Sequence, residues 1–336
     1  MSNKIRWGII STGHISGKFA EALKILPDAE LAAVASRTKE KSEEFANKYK
    51  IPTAYSSYEE LAHDDNIDVV YIGTPHKFHL ENALLCINNN KSVLCEKAFT
   101  INAKEAEIMV NAARKKNVFL MEAMIPRHIP LIKKVLNWIE EGKIGKVKMV
   151  RASRCANGSF KDEARQLNPL LGGGSLLDVG VYVISFASMI FKKAPVEVTG
   201  LAHIGEIGSD EQGACLLKYN DGEIADLTFA LRTDAVNEAY IYGTKGYIKI
   251  DELFAVPTKA ALFINRQLSE VLEEEIIGNA LNYEAEEVMR CLKLGLKESP
   301  FMRLDESIQI MEIMDKIRKP WNLVYKNDLR ILQDRK

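Results

Sequence analysis

Short apolar runs recur through the first 122 residues, with amphipathic stretches filling the gaps between them. Ile5-Arg6-Trp7-Gly8-Ile9-Ile10 opens the series and predicts a buried strand. Residues 31–36 predict a second, almost wholly apolar strand, and 69–72, 92–95 and 118–121 predict further short ones. Helical periodicity covers 15–26, 40–49, 79–89 and 103–115, the first of these stopping near Pro27. Strands that read as continuous apolar runs are covered on both faces, and alternating helices supply the cover. The pattern therefore predicts an α/β unit built on a parallel sheet.

The texture changes after about residue 124. Pro126 and Pro130 punctuate the chain, and 131–142 predicts a helix. Longer segments follow in which apolar and polar residues alternate: 147–153, 214–219, 223–229, 238–242 and 247–250. Alternation sets one face of a strand against a core and the other outward. Asp221-Gly222 predicts a hairpin turn, because this pair tolerates positive φ, and Thr244-Lys245-Gly246 predicts another. The second part thus reads as an α+β domain with an open, mostly antiparallel sheet, with helices at 177–190 and 283–294 against it. The predicted division is one domain over 1–122 and a second over 123–336.

Composition narrows the function. With 336 residues, 47% hydrophobic and 27% charged, the chain suits an ordinary globular protein of two domains. A net charge of −1 offers no attraction to nucleic acid or to a membrane surface. No run of about 18 apolar residues is present to span a bilayer. Cys86, Cys95, Cys155, Cys215 and Cys291 are odd in number and form no C-x-x-C pair, so they read as buried reduced thiols. The opening residues, Met1-Ser2-Asn3-Lys4-Ile5-Arg6, contain no apolar signal region. The expected location is the cytoplasm.

Ligands of an open parallel sheet bind outside the carboxyl ends of its strands, so the residues after each predicted strand are the first candidates. The first strand is followed by Ser11-Thr12-Gly13-His14-Ile15-Ser16. A dinucleotide turn wants G-x-G-x-x-G or A here, for a tight turn, close approach to the pyrophosphate and close helix packing. Only the middle glycine, Gly13, is present; Ser11 and Ser16 are small. Free N–H groups at the start of the next helix would face the pyrophosphate. Ser11, Thr12, Gly13, His14 and Ile15 are therefore candidate cofactor contacts. The second strand ends in Ser36-Arg37-Thr38-Lys39, which has no carboxylate for the ribose 2′-hydroxyl of NAD. Ser36 and Arg37 suit the 2′-phosphate of NADP, which a guanidinium holds bidentately; a solvated basic loop would look the same. NADP is the preferred cofactor and NAD the alternative.

Gly73-Thr74-Pro75-His76-Lys77-Phe78-His79 follows the fourth strand and predicts a loop lining the cofactor through Thr74, Pro75, His76 and His79, ended by a helix start. No Cys, Asp or Glu completes a ligand set around the two histidines, so no metal is expected. His63, His128 and His203, like the His14 side chain, read as structural or surface groups. About the fifth strand ends in Glu96-Lys97-Ala98. A lysine there sits where a cofactor's reactive end would lie, or it simply caps a strand. The other dense signal is Gly172-Gly173-Gly174-Ser175-Leu176-Leu177-Asp178-Val179-Gly180-Val181-Tyr182. Asp178 and Tyr182 fall four apart, on one helical face, behind a glycine-rich entry. They could meet Lys97 across a cleft, or be an N-cap with a buried tyrosine.

The strand-end Glu96-Lys97, the Asp178-x-Gly180-x-Tyr182 helix and the alternating first half resemble the glucose-fructose oxidoreductase/inositol dehydrogenase (Gfo/Idh/MocA) family. Arg6-Trp7-Gly8-Ile9-Ile10-Ser11, Tyr58-Glu59-Glu60-Leu61-Ala62, Tyr71-Ile72-Gly73-Thr74, Val93-Leu94-Cys95-Glu96-Lys97 and Phe119-Leu120-Met121-Glu122-Ala123 look like its dihydrodiol dehydrogenase subgroup. The resemblance implies an N-terminal Rossmann domain for dinucleotide binding. It implies a C-terminal substrate domain whose open sheet is often used for dimerisation, so a homodimer or higher homo-oligomer is expected. It also implies NAD(P)-dependent oxidation of a secondary alcohol of a sugar, polyol or trans-dihydrodiol. By match, Lys97 is the family's catalytic lysine, Glu96 joins the cofactor set, and Asp178 and Tyr182 take its acidic and acid/base positions. Arg127 is a further substrate-contact candidate. Two departures stand out: Ala98 replaces the family's proline, which relaxes the backbone that aims Lys97, and the glycine turn is eroded.

On this reading Tyr182 accepts the hydroxyl proton. A free phenol has a pKa of about 10, so the ammonium of Lys97 is needed to favour the phenolate. Asp178 orients the substrate hydroxyl or Lys97. Other outcomes share these residues: a regulator that senses NAD(P) without turnover, an NAD-dependent glycosidase that oxidises and then re-reduces its sugar, and an adaptor with a relic pocket.

Overall fold

The computed structural model describes residues 4–156, 158 and 164–333; residues 1–3, read above for a leader, lie outside them. By contact the chain forms two compact units. The first gathers Met1–Thr100, Lys104–Ile125 and Ile277–Ser307, and the second gathers Ile101–Ala103, Pro126–Ile276 and Ile308–Lys336.

The first unit is built on six strands: β1 (Ile5–Ile10), β2 (Ala29–Ala35), β3 (Thr53–Tyr55), β4 (Val69–Ile72), β5 (Ser92–Glu96) and β6 (Leu120–Ala123). All pair in parallel, in the order β3-β2-β1-β4-β5-β6. The apolar runs behave as their composition requires. Trp7, Ile9, Ile10, all of β4, and Val93, Leu94 and Cys95 are fully buried, as strands covered on both faces must be. The crossovers are α1 (His14–Lys24), α2 (Lys39–Tyr49), α3 (Tyr58–His63), α4 (His79–Asn88) and α5 (Ala103–Lys116). β3 and α3 were not among the expected elements. β3 has three half-buried residues and no apolar run. α3 did carry a signal, the capping box in which Ser57 and Glu60 bond each other's backbone N–H. β6 begins two residues later than expected, after Phe119 has given its carbonyl to Val93.

The helix Leu281–Lys293 corrects the predicted division. It belongs to the first unit, where it packs on α1, and not to the antiparallel sheet. Its buried residues include Leu281, Ala285 and Val288, and Asn279 just ahead of it donates to the carbonyl of Lys18. An apolar helix face records that it needs cover, not which surface supplies it.

Among the described residues the second unit carries eight strands: β7 (Val147–Cys155), β8 (Glu197–Ile204), β9 (Asp210–Lys218), β10 (Ile224–Ala230), β11 (Ala239–Gly243), β12 (Gly246–Ile250), β13 (Lys259–Ile264) and β14 (Gln267–Glu273). Their order is β14-β13-β12-β11-β7-β10-β9-β8, antiparallel throughout except for the β7–β10 pair. Both predicted hairpin turns join neighbours, β9 to β10 and β11 to β12. Gly222 takes the left-handed φ of 78°. β8, β13 and β14 were not expected; β14 is exposed on both faces and so has no core-facing alternation to read. Two helices, α6 (Pro130–Glu140) and α7 (Val181–Phe191), pack on the sheet. The expected helix over 177–190 begins instead as a π-helical turn, Leu176–Gly180, before α7.

A buried ionic cluster explains why Ile101–Ala103 is counted with the second unit. Arg318, 8% exposed in its side chain, bonds both Asp315 and Asp328 at 2.6 Å. Asp315 also accepts the Ala103 N–H at 2.9 Å, and Asp328 accepts Asn102 Nδ2 at 2.8 Å. All five cysteines are buried and free. Among the described residues no helix is long and apolar enough to cross a membrane.

Candidate active site

Because every strand of the first sheet runs the same way, the turns after β1, β2, β4 and β5 lie on one edge. The sheet order reverses between β1 and β4, and sheets of this type hold ligands at that crevice. At the first turn Ser11 stands at φ 106°, a region that favours glycine. Its hydroxyl compensates locally by accepting the Gly13 N–H at 3.1 Å. Gly13 is exposed and caps α1 without a side-chain bond, and no acidic residue occupies the first helical turn. The N–H groups there are open to an anion. Thr12 and Ile15 are half-buried, and His14 is exposed.

The close-packing role expected at Ser16 is shared differently. Ser16 is buried, and its Oγ lies 2.6 Å from where a Cβ on Gly73 would stand. A Cβ on Gly17 would lie 2.3 Å from the Tyr49 hydroxyl. The helix-packing glycine is thus Gly17, one position beyond the fingerprint, and a strict G-x-G-x-x-G template passes over it.

Ser36 is buried at the end of β2, and Arg37 is exposed. Burial pushes the Tyr58 phenol up, and the nearby Arg37 guanidinium pulls it back. A basic strand end without a carboxylate, beside an uncapped helix start, fits a dinucleotide bearing a 2′-phosphate.

At the end of β4 the histidines are interior groups. His79 is fully buried; Nε2 lies 2.8 Å from the Thr74 carbonyl oxygen, and Nδ1 lies 3.0 Å from that of Ala98 and 3.3 Å from that of Phe99. Its ring therefore ties the Thr74–Pro75 turn to the Lys97–Ala98 turn. His76 is also buried and meets His79 edge to face at 5.6 Å. Asn82 donates to Thr74 Oγ1 at 3.1 Å.

The turn after β5 is organised by Glu96. Its Oε1 accepts from the Tyr71 hydroxyl at 2.6 Å, and its Oε2 accepts the Lys97 N–H at 3.2 Å. Lys97 is half-buried, and its bond to Ala98 is cis. Glu284, from the helix Leu281–Lys293, is fully buried, and neither of its carboxyl oxygens has a hydrogen-bond partner among the described residues. Burial first, and the charge of Glu96 second, push its pKa well above the carboxylate range. Glu284 therefore holds its proton to higher pH than an ordinary carboxyl does. Sequence reading missed it, since a Glu on a helix ordinarily faces water.

In the second unit Gly173 and Gly174 approach their surroundings tightly. Gly174 has φ 137°, and a Cβ there would lie 2.2 Å from Asp210 Oδ1. Asp178 is buried in the π-helical turn and bonded by Arg165 Nη2 at 3.3 Å. Tyr182 is half-buried on α7, and the Arg154 guanidinium lies 5.9 Å from its ring centroid. Arg165 and Arg154 were not expected. Arg127, expected at the substrate, is buried, and its guanidinium bonds Ser185 Oγ and the Ser185 carbonyl, each at 3.0 Å.

A family model described as an oxidoreductase family with an NAD-binding Rossmann fold matches residues 5–124, and a GFO/IDH/MocA C-terminal domain model matches 132–249. The chain is similar to trans-1,2-dihydrobenzene-1,2-diol dehydrogenases. The Mus musculus protein is 39% identical over 336 residues, covering 97% of this chain and 99% of that one. The Danio rerio protein is 40% identical over 334 residues, covering 96% and 99%. Among solved structures, a 3-ketoreductase from Actinomadura kijaniata in complex with NADP and TDP-benzene matches with a TM-score of 0.85 at 25% identity, over 94% of this chain and 98% of that one. An aldose-aldose oxidoreductase from Caulobacter crescentus complexed with glycerol shares the fold, with a TM-score of 0.85 at 20% identity over 96% and 99%.

Glu284 makes the stability of the first unit depend on pH. Its folded-state pKa is raised, so its stabilising contribution is complete below the unfolded value of about 4.3 and is lost as pH rises through the folded one. Glu284→Gln should match the parent in urea midpoint near pH 4 and exceed it at pH 8. Equal midpoints at both pH values would show that Glu284 ionises at no cost.

Proposed function

The chain belongs to the Gfo/Idh/MocA family of NAD-binding oxidoreductases, and on that premise we propose that it oxidises a secondary alcohol of a small vicinal diol, with polyols and sugars as the neighbouring substrate class, using NADP in preference to NAD. The observation that carries this reading is Lys97 at the carboxyl end of β5, on the edge that bears the Ser11–Gly13 turn, in a chain similar to dihydrodiol dehydrogenases almost from end to end. Five buried, unpaired cysteines support a reducing, cytoplasmic setting.

The start of α1, with Ser11 and Gly13, would hold the pyrophosphate, and Ser36 and Arg37 the 2′-phosphate. The turn at Thr74–Pro75, braced by His79, would line the dinucleotide. When bound, the nicotinamide supplies hydride exchange with the carbinol carbon. The protein's part is to orient and to move a proton. Tyr182 takes the hydroxyl proton at its phenolic oxygen during oxidation and returns it during reduction. Lys97 supplies the positive charge that favours a phenolate. Asp178, steadied by Arg165, orients the reacting hydroxyl.

We place a second copy of the chain on the outward face of the eight-stranded sheet. Leu201, Leu216, Ile224 and Met149 are exposed there, beside the stacked rings of Tyr240 and Tyr242, and an apolar patch of this kind is ordinarily covered. Sedimentation should give twice the 37.7 kDa chain mass, and Leu216→Asp should split the dimer. A monomer mass for the parent at micromolar concentration rules this out.

Cofactor choice follows from the strand end after β2. Arg37→Asp should weaken NADP binding by at least about tenfold while leaving NAD nearly unchanged, since it removes a bidentate phosphate partner and adds a like charge. Equal affinities of the parent for the two cofactors would remove the basis for the claim.

The proton relay is tested with purified protein, NADP and a panel of trans-dihydrodiols, polyols and sugars, read at the nicotinamide absorbance band. Net reduction of NADP is expected; sugar cleavage without net reduction, or binding without turnover, favours a glycosidase or a sensor. Lys97→Met and Tyr182→Phe should each lower the rate about 100-fold or more. The double variant should be little worse than either single, as residues acting as one unit are non-additive. Near-normal turnover in Tyr182→Phe sinks its assignment as the base.

A further inference from the structure

Asp210 opens β9 and is wholly buried. Its Oδ2 accepts from Ser175 Oγ at 2.7 Å and from the Leu176 N–H at 2.6 Å. Both donors belong to the turn that enters Leu176–Gly180, where Asp178 sits, and that leads into α7 and Tyr182. Its Oδ1 has no hydrogen-bond partner among the described residues. The missing side chain of Gly174 is what admits it, for a Cβ there would lie 2.2 Å from Oδ1. Two further bonds secure the turn: Asp178 N–H to the Gly174 carbonyl at 3.0 Å, and Tyr325 hydroxyl to the Gly173 carbonyl at 3.0 Å.

Resting on the reading of Asp178 and Tyr182 as reacting groups, we propose that Asp210 is a positioning residue: its ionised carboxylate holds the Ser175–Leu176 turn, and with it the aim of Asp178 and Tyr182, and protonation on Oδ1 loosens that hold. Hydrogen bonds to a carboxylate are roughly twice as strong as those to a neutral acid. Because Oδ1 has no bond to lose, the proton enters there and Oδ2 keeps both donors with less charge behind it. The charged and titratable groups near Asp210 are Arg318, at the end of the helix Leu304–Arg318, and Tyr325. Asp178 is engaged by Arg165, and Glu211, next along β9, by Arg232 at 2.9 Å.

Burial raises the Asp210 pKa to about 6, while Ser175, the Leu176 N–H and the more distant Arg318 oppose it. With the folded value raised, the contribution of Asp210 to stability is complete below its unfolded pKa of about 3.9 and is lost as pH rises through about 6. The carboxylate thus tightens the turn at the expense of the fold as a whole.

Asparagine at this position offers Ser175 and Leu176 the same oxygen without the charge. Asp210→Asn should therefore behave at every pH as the parent does when Asp210 is protonated. The parent-to-variant ratio of kcat for NADP-dependent diol oxidation should climb from about 1 at pH 5 to roughly 10 at pH 7.5. Its midpoint should lie near pH 6, at the Asp210 value of about 6. Ser175→Ala removes a bond that lowers this pKa, so the acid limb of its kcat–pH profile should move to higher pH. The Tm of the unliganded parent should fall relative to that of Asp210→Asn across the same window. A ratio that does not change with pH, whatever its size, or a flat Tm difference, overturns the proposal. Tyr182→Phe, measured alongside, separates the two readings. Normal turnover there removes the group that Asp210 is meant to aim, and the proposal falls with it. A flat ratio with Tyr182→Phe inactive removes the role of Asp210 alone.

Discussion

In a sheet whose strands all run one way, every strand delivers the chain to the same edge. The parallel pairing of β1, β2, β4 and β5 brings the turns at Ser11–Gly13, Ser36–Arg37, Thr74–Pro75 and Glu96–Lys97 onto one rim, although they are far apart in sequence. Parallel strands need long crossovers, so each turn leads into a helix or toward one. α1 starts directly behind the first turn and presents uncapped N–H groups there. The apolar strands lock this arrangement, since slipping β4 or β5 out of register would misalign both buried faces with their covering helices.

Behind two of the candidate turns stands a buried acid. Glu96 receives the Lys97 N–H on one oxygen and the Tyr71 hydroxyl on the other. Asp210 receives Ser175 and the Leu176 N–H ahead of Asp178. A carboxylate is suited to this work because it accepts several donors at once and strengthens each with its charge. Burial makes such groups expensive to ionise. Beside Glu96, Glu284 holds its proton to higher pH than an ordinary carboxyl, and Arg318 lies within electrostatic reach of Asp210. The arginines divide along similar lines. Arg165 and Arg154 lie at Asp178 and Tyr182, whereas Arg127 is committed to Ser185 on α7.

Much of the first unit was legible in the chain. Five of its six strands are short apolar runs, and no other arrangement buries such runs on both faces so simply. The strand-end candidates were legible for the same reason, because the rule that places ligands at carboxyl ends needs only strand order and direction. β3 and β14 were not, since neither carries an apolar period. Leu281–Lys293 was visible as a helix, but not as a helix of the first unit. Gly17 in place of Ser16, and His79 as a brace between two turns, depend on which side chain faces which backbone.

Local composition and period determined the element types, the parallel and antiparallel halves, the Asp-Gly hairpin and the strand ends that carry the candidate residues. These are properties of neighbouring residues: apolar spacing, turn residues, and the absence of an acid after β2. Only the tertiary structure decided which polar groups lose their water. Glu284, Asp210 and Arg318 look in sequence like ordinary charges. Burial, which depends on residues far away along the chain, turns them respectively into an acid whose pKa is raised, the holder of a turn and the centre of an ionic cluster.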